Sequence, residues 1–403
     1  MKKIVLGSLV ASSLLMSAGY KIPETSTNSV ALSGANIAHT SSADAAYDNP
    51  ANMVFMDDKN HMEANLMYVG TSATEYTATG STSSINADEQ QFLLPSFHYV
   101  SPKLGESGTR VGLSIVVPGG LSRTWKDSPA ILRAKEFTLE VVEINPTVAF
   151  QVSNTVSVAF GFRAVHSSGI VKFVPVPNVA SVDMSGSSLD FGYNLALAYH
   201  PNEDWQIGLT YRSNVNLSEV GTADIVHPNP AIAGSYDASV SIPLPATFNA
   251  AIAYTLPSKT TIEFVYEKTY WSAYSNLDFE YTNPVIEAVF GTAIPKNWED
   301  TNAYRVGVTQ ELDALTLMAG YVYDQTAIPD NTLGFESPGS NAQSVSLGAR
   351  FKVDENLDVG LSALYSMKED RTIDAAAANI NGINGTFSNS NVLLVSAGVG
   401  YRF

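Results

Sequence analysis

Residues 31–53 have the sequence ALSGANIAHTSSADAAYDNPANM, and the fold of the chain depends on this stretch. Most of its residues are small, and the turn-forming residues Asp48, Asn49 and Pro50 lie near its end. It has neither the periodicity of an amphipathic helix nor the alternation of a strand, whereas nearly everything after it alternates. We therefore predict that this stretch belongs to a plug around which a closed sheet is wrapped.

Residues 1–18 have the pattern of a secretory signal peptide. Lys2 and Lys3 form a charged start, residues 4–15 are apolar, and Ser17-Ala18-Gly19 is a small-residue cleavage region. The apolar run is too short to span a membrane as a helix. The pattern predicts export and removal of residues 1–18; a buried N-terminal helix is the alternative.

The composition excludes several classes of protein. The chain has 403 residues, a formal net charge of -17 and no cysteine. The acidic balance argues against nucleic acid as a partner, and the lack of cysteine excludes disulfides, thiol catalysis and Cys-based metal sites. No charge cluster has metal-ligand spacing, and no Gly-rich phosphate loop precedes a helix. We predict no metal, no cofactor and no catalytic residues.

From residue 61 onward, apolar residues alternate with polar or small ones. One such row on a single face comprises Trp205, Ile207, Leu209 and Tyr211. A period of two over eight to ten residues is typical of a strand with one apolar face. Tyrosine and tryptophan cluster near the ends of these rows, as in the aromatic girdles of membrane barrels.

The connections between these rows alternate between short and long. Six short turns and seven long polar or Gly-rich segments predict 14 strands with both termini on the short-turn side. The long segments, predicted as outer loops, include residues 167–185 and 218–235. The fold class predicted is all-β: a 14-stranded antiparallel transmembrane β-barrel over residues 59–403, with residues 19–58 as an N-terminal hatch in its lumen. A secreted two-sheet sandwich is the alternative.

The last predicted strand supports export to the bacterial outer membrane. It alternates up to the terminal Phe403 in the outward register. Outer-membrane barrels resemble one another in such an ending, which the barrel assembly machinery recognises. We predict a monomer embedded in the outer-membrane bilayer, with that machinery as a partner.

Several short motifs, in their order and spacing, resemble the FadL family of outer-membrane transporters for long-chain fatty acids and other hydrophobic compounds. They run from Ala18-Gly19-Tyr20 through Asn49-Pro50-Ala51 to Tyr211-Arg212-Ser213, Ala303-Tyr304-Arg305 and Ile328-Pro329. The resemblance covers essentially the whole mature chain. It implies a 14-stranded barrel with an N-terminal hatch, which agrees with the strand count.

The resemblance also implies an inward kink in the third strand, which opens a lateral gap towards the lipid. The third strand is predicted at residues 109–117 and is followed by Pro118, Gly119 and Gly120. Proline removes a hydrogen-bond donor from the sheet and glycine permits unusual dihedral angles, so a break is physically reasonable here. The alternative is an ordinary strand end that runs into a loop.

Three groups of residues are candidates for transport. The hatch motif Asn49, Pro50 and Ala51 is predicted to gate the route. Ile170 and Phe173 belong to an apolar segment within a predicted outer loop, which would capture ligand. Arg163, Arg212 and Arg305 point inward by strand register and could bind a carboxylate; the alternative is that they brace the hatch against the wall.

We therefore predict a passive transporter of long-chain fatty acids or similar hydrophobic molecules, not an enzyme. Burial of an acyl chain yields roughly 0.8 kcal/mol per methylene, so capture needs a dry pocket. Two alternatives remain open from the sequence: a general diffusion porin, and a transporter of uncharged hydrocarbons or aromatics. The six histidines have no paired spacing with a nucleophile, which argues against a hydrolase.

Overall fold

A computed structural model describes residues 19–403, with only the backbone of Glu106. The predicted signal peptide, residues 1–18, lies outside the described residues. None of the helices within residues 19–403 is long and apolar enough to cross a membrane.

Fourteen antiparallel strands form a closed wall, as predicted. The last strand pairs with the first from His61↔Arg402 to Thr71↔Val392, which closes the ring. The wall strands are β1 His61–Thr71, β2 Gln90–Val100, β3 Arg110–Thr124, β4 Glu136–Gln151, β5 Val156–Val176, β6 Ala180–Tyr199, β7 Trp205–Arg212, β8 Thr247–Thr255, β9 Thr260–Thr269, β10 Thr301–Glu311, β11 Leu315–Asp324, β12 Ala342–Lys352, β13 Leu357–Lys368 and β14 Val392–Arg402.

Several segments predicted as loops are strands. The predicted loop at residues 167–185 is a long hairpin, because β5 and β6 continue to a tight turn. The predicted loop at residues 218–235 lies mostly in two further strands, Val215–Val226 and Gly234–Leu244, which pair with each other and extend the wall above β7 and β8. The third strand, predicted to end at Val117, continues to Thr124.

The outward face of the wall is apolar, as the alternation predicted. Along β14 the side chains alternate between buried and outward-facing, and Leu393, Val399 and Tyr401 are exposed. Because a soluble protein would bury such rows, their exposure all around the ring indicates a surface that faces lipid. Further exposed members of this face are Leu66, Ile144, Phe160, Leu195, Leu209, Phe264, Val306, Leu347 and Leu361.

The long-loop end of the ring is covered by short elements. A four-stranded sheet combines segments from the first and last long loops, and aromatic side chains pack beneath it. Trp125 is fully buried there, and its indole N–H donates to the carbonyl of Phe335 at 2.9 Å. The covering elements are the strands Glu75–Ala78, Ser84–Asn86, Arg371–Ile373, Gly385–Ser388, Asn276–Leu277, Phe279–Tyr281 and Ile294–Pro295, the helices Ile131–Ala134 and Pro284–Phe290, and the 3-10 turns Trp271–Ala273 and Ala375–Ala377. A further 3-10 turn, Gly105–Ser107, lies between β2 and β3.

The segment before β1 lies inside the ring and contacts its inner face in many directions. It contains the helices Thr27–Ala31 and Ala45–Asp48 and the 3-10 helix Pro50–Phe55. Thr27 contacts both the first and the last strand of the wall: its hydroxyl donates to Asn65 of β1 at 2.8 Å and lies 3.0 Å from that of Ser396 on β14.

Glycines on the inner face make room for the small residues of this segment. A Cβ added at Gly348 would lie 2.4 Å from the Cβ of Ala31, and one at Gly320 would lie 2.2 Å from the backbone of Leu32. Such distances are shorter than van der Waals contact. The small composition of residues 31–53 and the inward glycines therefore form one complementary surface, which holds the hatch against the wall.

Candidate transport pathway

The wall has a gap between β2 and β3. The two strands pair only from Phe97↔Ile115 to Val100↔Gly112. They meet again at an isolated bridge between Ala87 and Trp125. Apart from the amide of Asp88, which donates to the carbonyl of Thr124 at 2.9 Å beside this bridge, no backbone hydrogen bond joins the two segments between these contacts in the part of the chain that the structure describes. We call this unpaired stretch, residues 90–96 of β2 and 116–121 of β3, the wall gap.

An extra residue in β3 explains why pairing does not resume. In the β3–β4 ladder, Val116 opposes Glu143 but Gly119 opposes Val141, so Val117 and Pro118 together oppose one residue. A one-residue bulge reverses the face on which every later side chain lies. Beyond the bulge, Leu121 pairs with Leu139 and faces inward. If the lower β2–β3 register continued, Leu121 would lie opposite Gln91, which faces outward. Residues that oppose each other in a sheet must face the same side, so the two strands cannot pair here. The predicted kink at Pro118, Gly119 and Gly120 coincides with this bulge.

The first described residues of the chain occupy the inner side of the kink. Lys21 forms an antiparallel bridge with Gly119. The amide of Ile22 donates to the carbonyl of Pro118 at 2.8 Å, and the amide of Gly120 donates to the carbonyl of Tyr20 at 2.6 Å. The hatch therefore supplies the backbone partner that β2 does not.

Ile22 lies between the lumen and the wall gap. Its side chain is 1 % exposed and belongs to an apolar cluster with Val117 of the kink and with Phe92 and Leu94 of the unpaired edge of β2. Ile22 and Pro118 also line a cavity on the lumenal side. A ligand that moves from that cavity to the gap has to displace this side chain.

This lumenal cavity has about 690 Å³ of empty space. It brings together the start of the hatch, the kink and the three arginines predicted as ligand-binding residues. The lining residues include Lys21, Ile22, Pro23, Tyr47, Asp48, Pro118, Arg163, Arg212, Leu244, Pro245, Glu267 and Arg305.

Each of the three arginines already has a carboxylate partner. Arg163 forms a bidentate pair with Glu143 on the neighbouring strand, with N···O distances of 2.9 and 3.1 Å. Arg212 contacts the same carboxylate and lies 3.8 Å from the centre of the Tyr47 ring. Arg305 is shared between the carboxylates of Glu267 and Glu24. These pairs favour the bracing role that the sequence left open, because a ligand carboxylate would have to compete with a buried partner.

Arg305 anchors the start of the hatch. Its guanidinium donates to the carbonyl of Ser33 at 2.8 Å and lies 3.3 Å from Glu267 and 3.6 Å from Glu24. Glu267 also pairs with Lys21. The second oxygen of Glu24, Oε2, is buried and has no hydrogen-bond partner among residues 19–403. Burial raises the pKa of Glu24 to about 7, although Arg305 opposes this shift.

We expect the seating of residues 20–24 to weaken as the pH rises. The ordinary pKa of a glutamate is 4.5, so between that value and about 7 the seated Glu24 holds a proton that an exposed Glu24 would release. Stability of the seated form therefore falls across this interval, because the free form binds fewer protons. Since the chain has no cysteine, a Pro23→Cys variant can report seating by its rate of maleimide labelling.

The matched control carries Glu24→Gln in the same Pro23→Cys background. Its labelling rate contains the pH dependence of the thiol but not that of Glu24. We divide the labelling rate of the Pro23→Cys variant by that of the control that also carries Glu24→Gln. This ratio is expected to rise from about pH 6 to about pH 8, because only the first variant loses seating as Glu24 ionises. A constant ratio would show that Glu24 does not control seating.

The hatch motif Asn49, Pro50 and Ala51 lies away from the kink. The side-chain amide of Asn49 donates to the carbonyls of Ile37 at 2.9 Å and of Leu197, on β6, at 3.3 Å. Its side-chain oxygen accepts from the amide of Ala51 and caps the 3-10 helix Pro50–Phe55. The motif thus ties two parts of the hatch to the wall, and its predicted gating role stays a prediction.

A larger apolar cavity, the outer groove, lies among the elements of the long-loop end. It has about 1220 Å³ of empty space. Phe173 lines it, whereas Ile170 does not, because alternation along β5 turns Ile170 to the other face. The lining residues are Leu132, Arg133, Phe137, Val171, Phe173, Pro175, Leu277, Phe279, Tyr281, Phe290, Ile294, Lys296, Glu336 and Asn381.

A small aromatic cavity of about 310 Å³ lies next to the outer groove and shares Phe137, Lys296 and Glu336 with it. Its wall includes Tyr20 and Trp298, whose ring centres are 5.7 Å apart. Burial raises the pKa of the Tyr20 hydroxyl well above its usual value, so the hydroxyl stays protonated and donates to the carbonyl of Pro243. The start of the hatch thus contacts this cavity as well as the kink.

Lys296 is the cation at the junction of these two cavities. Its side chain is 4 % exposed, and its ammonium lies 2.5 Å from the carboxylate of Glu336. The backbone carbonyl of Lys296 accepts from the hydroxyl of Thr332, which holds this part of the loop. A buried lysine beside apolar cavities can bind an acidic head group when that group replaces Glu336 at the ammonium or binds the ammonium together with Glu336.

The sequence alone does not identify Lys296, Tyr20 or Ile22 as functional residues. A signal for Lys296 was present, since it is the only basic residue between Lys268 and Arg305 in the sequence. Tyr20 was marked only as part of the motif Ala18-Gly19-Tyr20, without a role, and no signal marked Ile22, because the roles of both residues depend on strands far away in the sequence.

A closed barrel with an apolar outer belt, a lumen filled by its own N-terminal segment and a gap in its wall defines a plugged channel of the outer membrane. The family described as outer membrane protein transport protein (OMPP1/FadL/TodX) matches residues 8–403, and the chain belongs to this family. Its members are transporters or channels, so this is an outer-membrane transport protein and not an enzyme.

Relatives and solved structures agree with this assignment. The chain is 24% identical to outer membrane protein P1 of Haemophilus influenzae, over 98% of this chain and 99% of that protein. It is 23% identical to the long-chain fatty acid transport protein of Escherichia coli K12, over 87% and 88% of the two chains. The fold is similar to that of a Pseudomonas aeruginosa FadL homologue, with a TM-score of 0.83, 18% identity and coverage of 95% and 99%. It is also similar to the P. putida toluene transporter TodX, with a TM-score of 0.74, 16% identity and coverage of 94% and 98%.

Proposed function

We propose that this protein takes up long-chain fatty acids, or molecules of similar shape with an acidic head group, by passive diffusion through the wall gap. The observation that carries the proposal is a chain of apolar cavities from the outer groove to the kink, with one buried lysine beside it. A porin needs an open aqueous lumen, and the hatch that fills this lumen argues against one. The relatives that are fatty acid transporters support the acidic substrate.

Capture would take place in the outer groove. Its lining is mainly aliphatic and aromatic, and it has room for a long alkyl chain. Each buried methylene contributes roughly 0.8 kcal/mol, so a chain of 16 to 18 carbons could bind tightly even if only part of it is covered. No energy source is required, because release into the bilayer follows the concentration gradient.

Lys296 would hold the head group. A carboxylate at the junction of the two cavities would exchange with Glu336 for the ammonium, while its alkyl chain stays in the groove. The aromatic cavity leads from there to Tyr20, and a shift of Tyr20 loosens the bridge between Lys21 and Gly119. Entry of a ligand would thereby release the segment that covers the wall gap.

The test compares oleate with octadec-1-ene, which has the same number of carbons and no charge. Lys296→Met keeps the length of the side chain and removes the charge. We expect the affinity for oleate to fall about tenfold or more, since a charge-assisted hydrogen bond is lost. Affinity for the alkene should stay unchanged, as measured by titration of the barrel in lipid nanodiscs.

Two further variants sharpen this result. Lys296→Met with Glu336→Gln removes both charges, so it avoids an unpaired carboxylate that would repel oleate. Lys126→Met removes an exposed lysine, 71 % exposed and paired with Asp88, and should change nothing. Unchanged oleate binding in both Lys296 variants would reject the head-group site, and wild-type protein that binds only the alkene would indicate a hydrocarbon transporter.

A further inference from the structure

A side pocket adjoins the outer groove and is lined by three glycines from three strands. It has about 310 Å³ of empty space and shares Val171 and Phe279 with the groove, so the two are contiguous. The glycines are needed, because a Cβ at Gly169 would lie 2.2 Å from Oε2 of Glu219. The lining residues are Gly169, Val171, Met184, Ser185, Gly186, Glu219, Gly221, Thr222, Ala238, Ser239, Val240 and Phe279.

Glu219 is the only charged residue among those that line this pocket. It lies on the strand Val215–Val226 and is 3 % exposed, so nearly all of it is removed from solvent. One carboxyl oxygen, Oε1, is buried and has no hydrogen-bond partner among residues 19–403. No ion pair joins Glu219 to a basic side chain within the same residues. A buried acceptor without a partner is costly, so this atom is suited to a donor from outside the chain, a water molecule or a group of a ligand.

We infer that Glu219 forms a second polar subsite of the outer groove, which accepts a hydrogen bond from a donor, a hydroxyl or an ammonium, at one end of an otherwise apolar molecule. This inference rests on the proposed function only in that the groove takes apolar ligands. It deepens the proposal because the groove then has two polar ends of opposite character. Lys296 suits an acidic group, whereas Glu219 suits a donor.

The surroundings of Glu219 favour a donor over other ligands. An anion would be repelled, because Asp190 adds a second negative charge near Glu219 and no basic residue lines the pocket. The remaining wall is formed by Val171, Met184, Val240, Phe279 and glycine, which suits an alkyl chain. The serine and threonine hydroxyls that line the pocket are too few to coordinate a bare metal ion, whereas an alkyl chain with a donor at its end needs only the one acceptor.

The experiment uses the full barrel in lipid nanodiscs and two isomers, octan-1-ol and 1-methoxyheptane. Both have the same atoms, but only the alcohol can donate a hydrogen bond. Octylammonium serves as the charged donor, and empty nanodiscs correct for partition into lipid. Dissociation constants come from isothermal titration calorimetry. Burial raises the pKa of Glu219 to about 7, so the titrations are run at about pH 8.5, where its carboxylate is mostly ionised. There we expect the wild-type protein to bind octan-1-ol about tenfold more tightly than its isomer, because only the alcohol can donate a hydrogen bond to the buried carboxylate.

Three variants identify the source of this preference. Glu219→Leu should bind both isomers equally. Glu219→Gln has nearly the same size and keeps an acceptor oxygen, so it should retain part of the preference for the alcohol and lose most of the binding of octylammonium. Asp224→Asn removes an exposed carboxylate from the same strand and should behave as wild type. Heat-modifiable migration in electrophoresis shows whether Glu219→Leu folds. If it does not fold, Glu219→Gln provides the test: loss of octylammonium binding supports the subsite, and retained binding overturns it.

The outcomes separate this inference from the proposed function. Equal binding of the two isomers by the wild type, or a preference that survives in Glu219→Leu, overturns the subsite while the groove still binds apolar molecules. Failure of the wild type to bind either isomer overturns both the subsite and the role of the groove. A third outcome is that the preference for octan-1-ol is lost in Asp224→Asn as well as in the Glu219 variants. That result would assign the preference to the overall negative charge of the outer loops and would also overturn the subsite.

Discussion

Deletion of Pro118 together with Pro95→Val is expected to reduce oleate uptake to the level of cells without the transporter. The deletion removes the residue that makes β3 longer than its partner β4 at the bulge. Gly119 and Leu121 would then face inward opposite Leu94 and Phe92, so β2 and β3 would be in phase and could pair across the wall gap. In lipid, unpaired backbone groups are costly, which drives this closure once the register allows it.

Pro95 is replaced because it would otherwise interrupt the new ladder. It lies on the unpaired edge of β2, where a residue without an N–H is tolerated. A valine at this position restores the donor and fits a strand that faces lipid. Uptake of radiolabelled oleate is measured in a bacterial strain that lacks its own long-chain fatty acid transporter.

Two single variants serve as controls for the closed wall. Pro118→Ala keeps the number of residues in β3, so the bulge and the gap remain and uptake should persist. Pro95→Val alone also keeps the bulge. Heat-modifiable migration in electrophoresis shows that each barrel is folded, and normal uptake by the folded double variant would reject the lateral route.

The strands were predictable from the sequence within the membrane belt, because there the lipid requires apolar side chains on the outer face and the inner face carries small or polar ones. Along β6, Leu195 is exposed and the residues beside it, Asn194 and Ala196, are buried. Above the belt the rule reverses, since Val182 and Met184 are buried on the inner face of the same strand. The row of outward apolar residues ends at the upper edge of the belt. The sequence pattern therefore predicts a loop where the upper parts of β5 and β6 form a hairpin.

The direction of the arginines was also predictable, but their partners were not. Strand register is enough to place Arg163 and Arg305 on the inner face, where both are 2 % exposed. Their partners Glu143 and Glu267 lie on adjacent strands at a height that depends on the shear of the ring, which alternation does not determine. The bracing network could therefore be offered from the sequence only as an alternative.

The kink illustrates the difference between a local signal and its consequence. Pro118, Gly119 and Gly120 mark a break in the sheet by their own chemistry. That the break leaves β2 unpaired, and that the hatch takes its place as the partner, depends on contacts between residues about a hundred positions apart. No periodicity in the sequence reports such contacts, so the roles of Tyr20 and Ile22 required the structure.

Ile22→Ala is expected to increase oleate uptake severalfold, the opposite of the change caused by closure of the wall. The side chain of Ile22 is buried among Val117, Phe92 and Leu94, and truncation of such a residue costs about 2–4 kcal/mol. Here the cost falls on the seated form of the hatch, whereas the displaced form, in which the side chain is already free, is unaffected. The population of the displaced form should therefore rise, and with it the rate of exit through the wall gap.

Val30→Ala is the matched control, because Val30 is fully buried in the same apolar cluster but lies in the helix Thr27–Ala31 and not at the kink. It should lower the stability of the hatch without a comparable gain in uptake. Equal gains in the two variants would mean that uptake reports general loosening of the hatch.

The combination of Ile22→Ala with the Pro118 deletion and Pro95→Val decides the order of events. If the segment around Ile22 controls access to the wall gap, then closing the gap removes the gain, and the triple variant takes up no more oleate than the closed barrel. If the ligand instead passes through the lumen into the periplasm, the loosened hatch still speeds uptake when the wall is closed. The two routes therefore predict opposite results in a single uptake measurement.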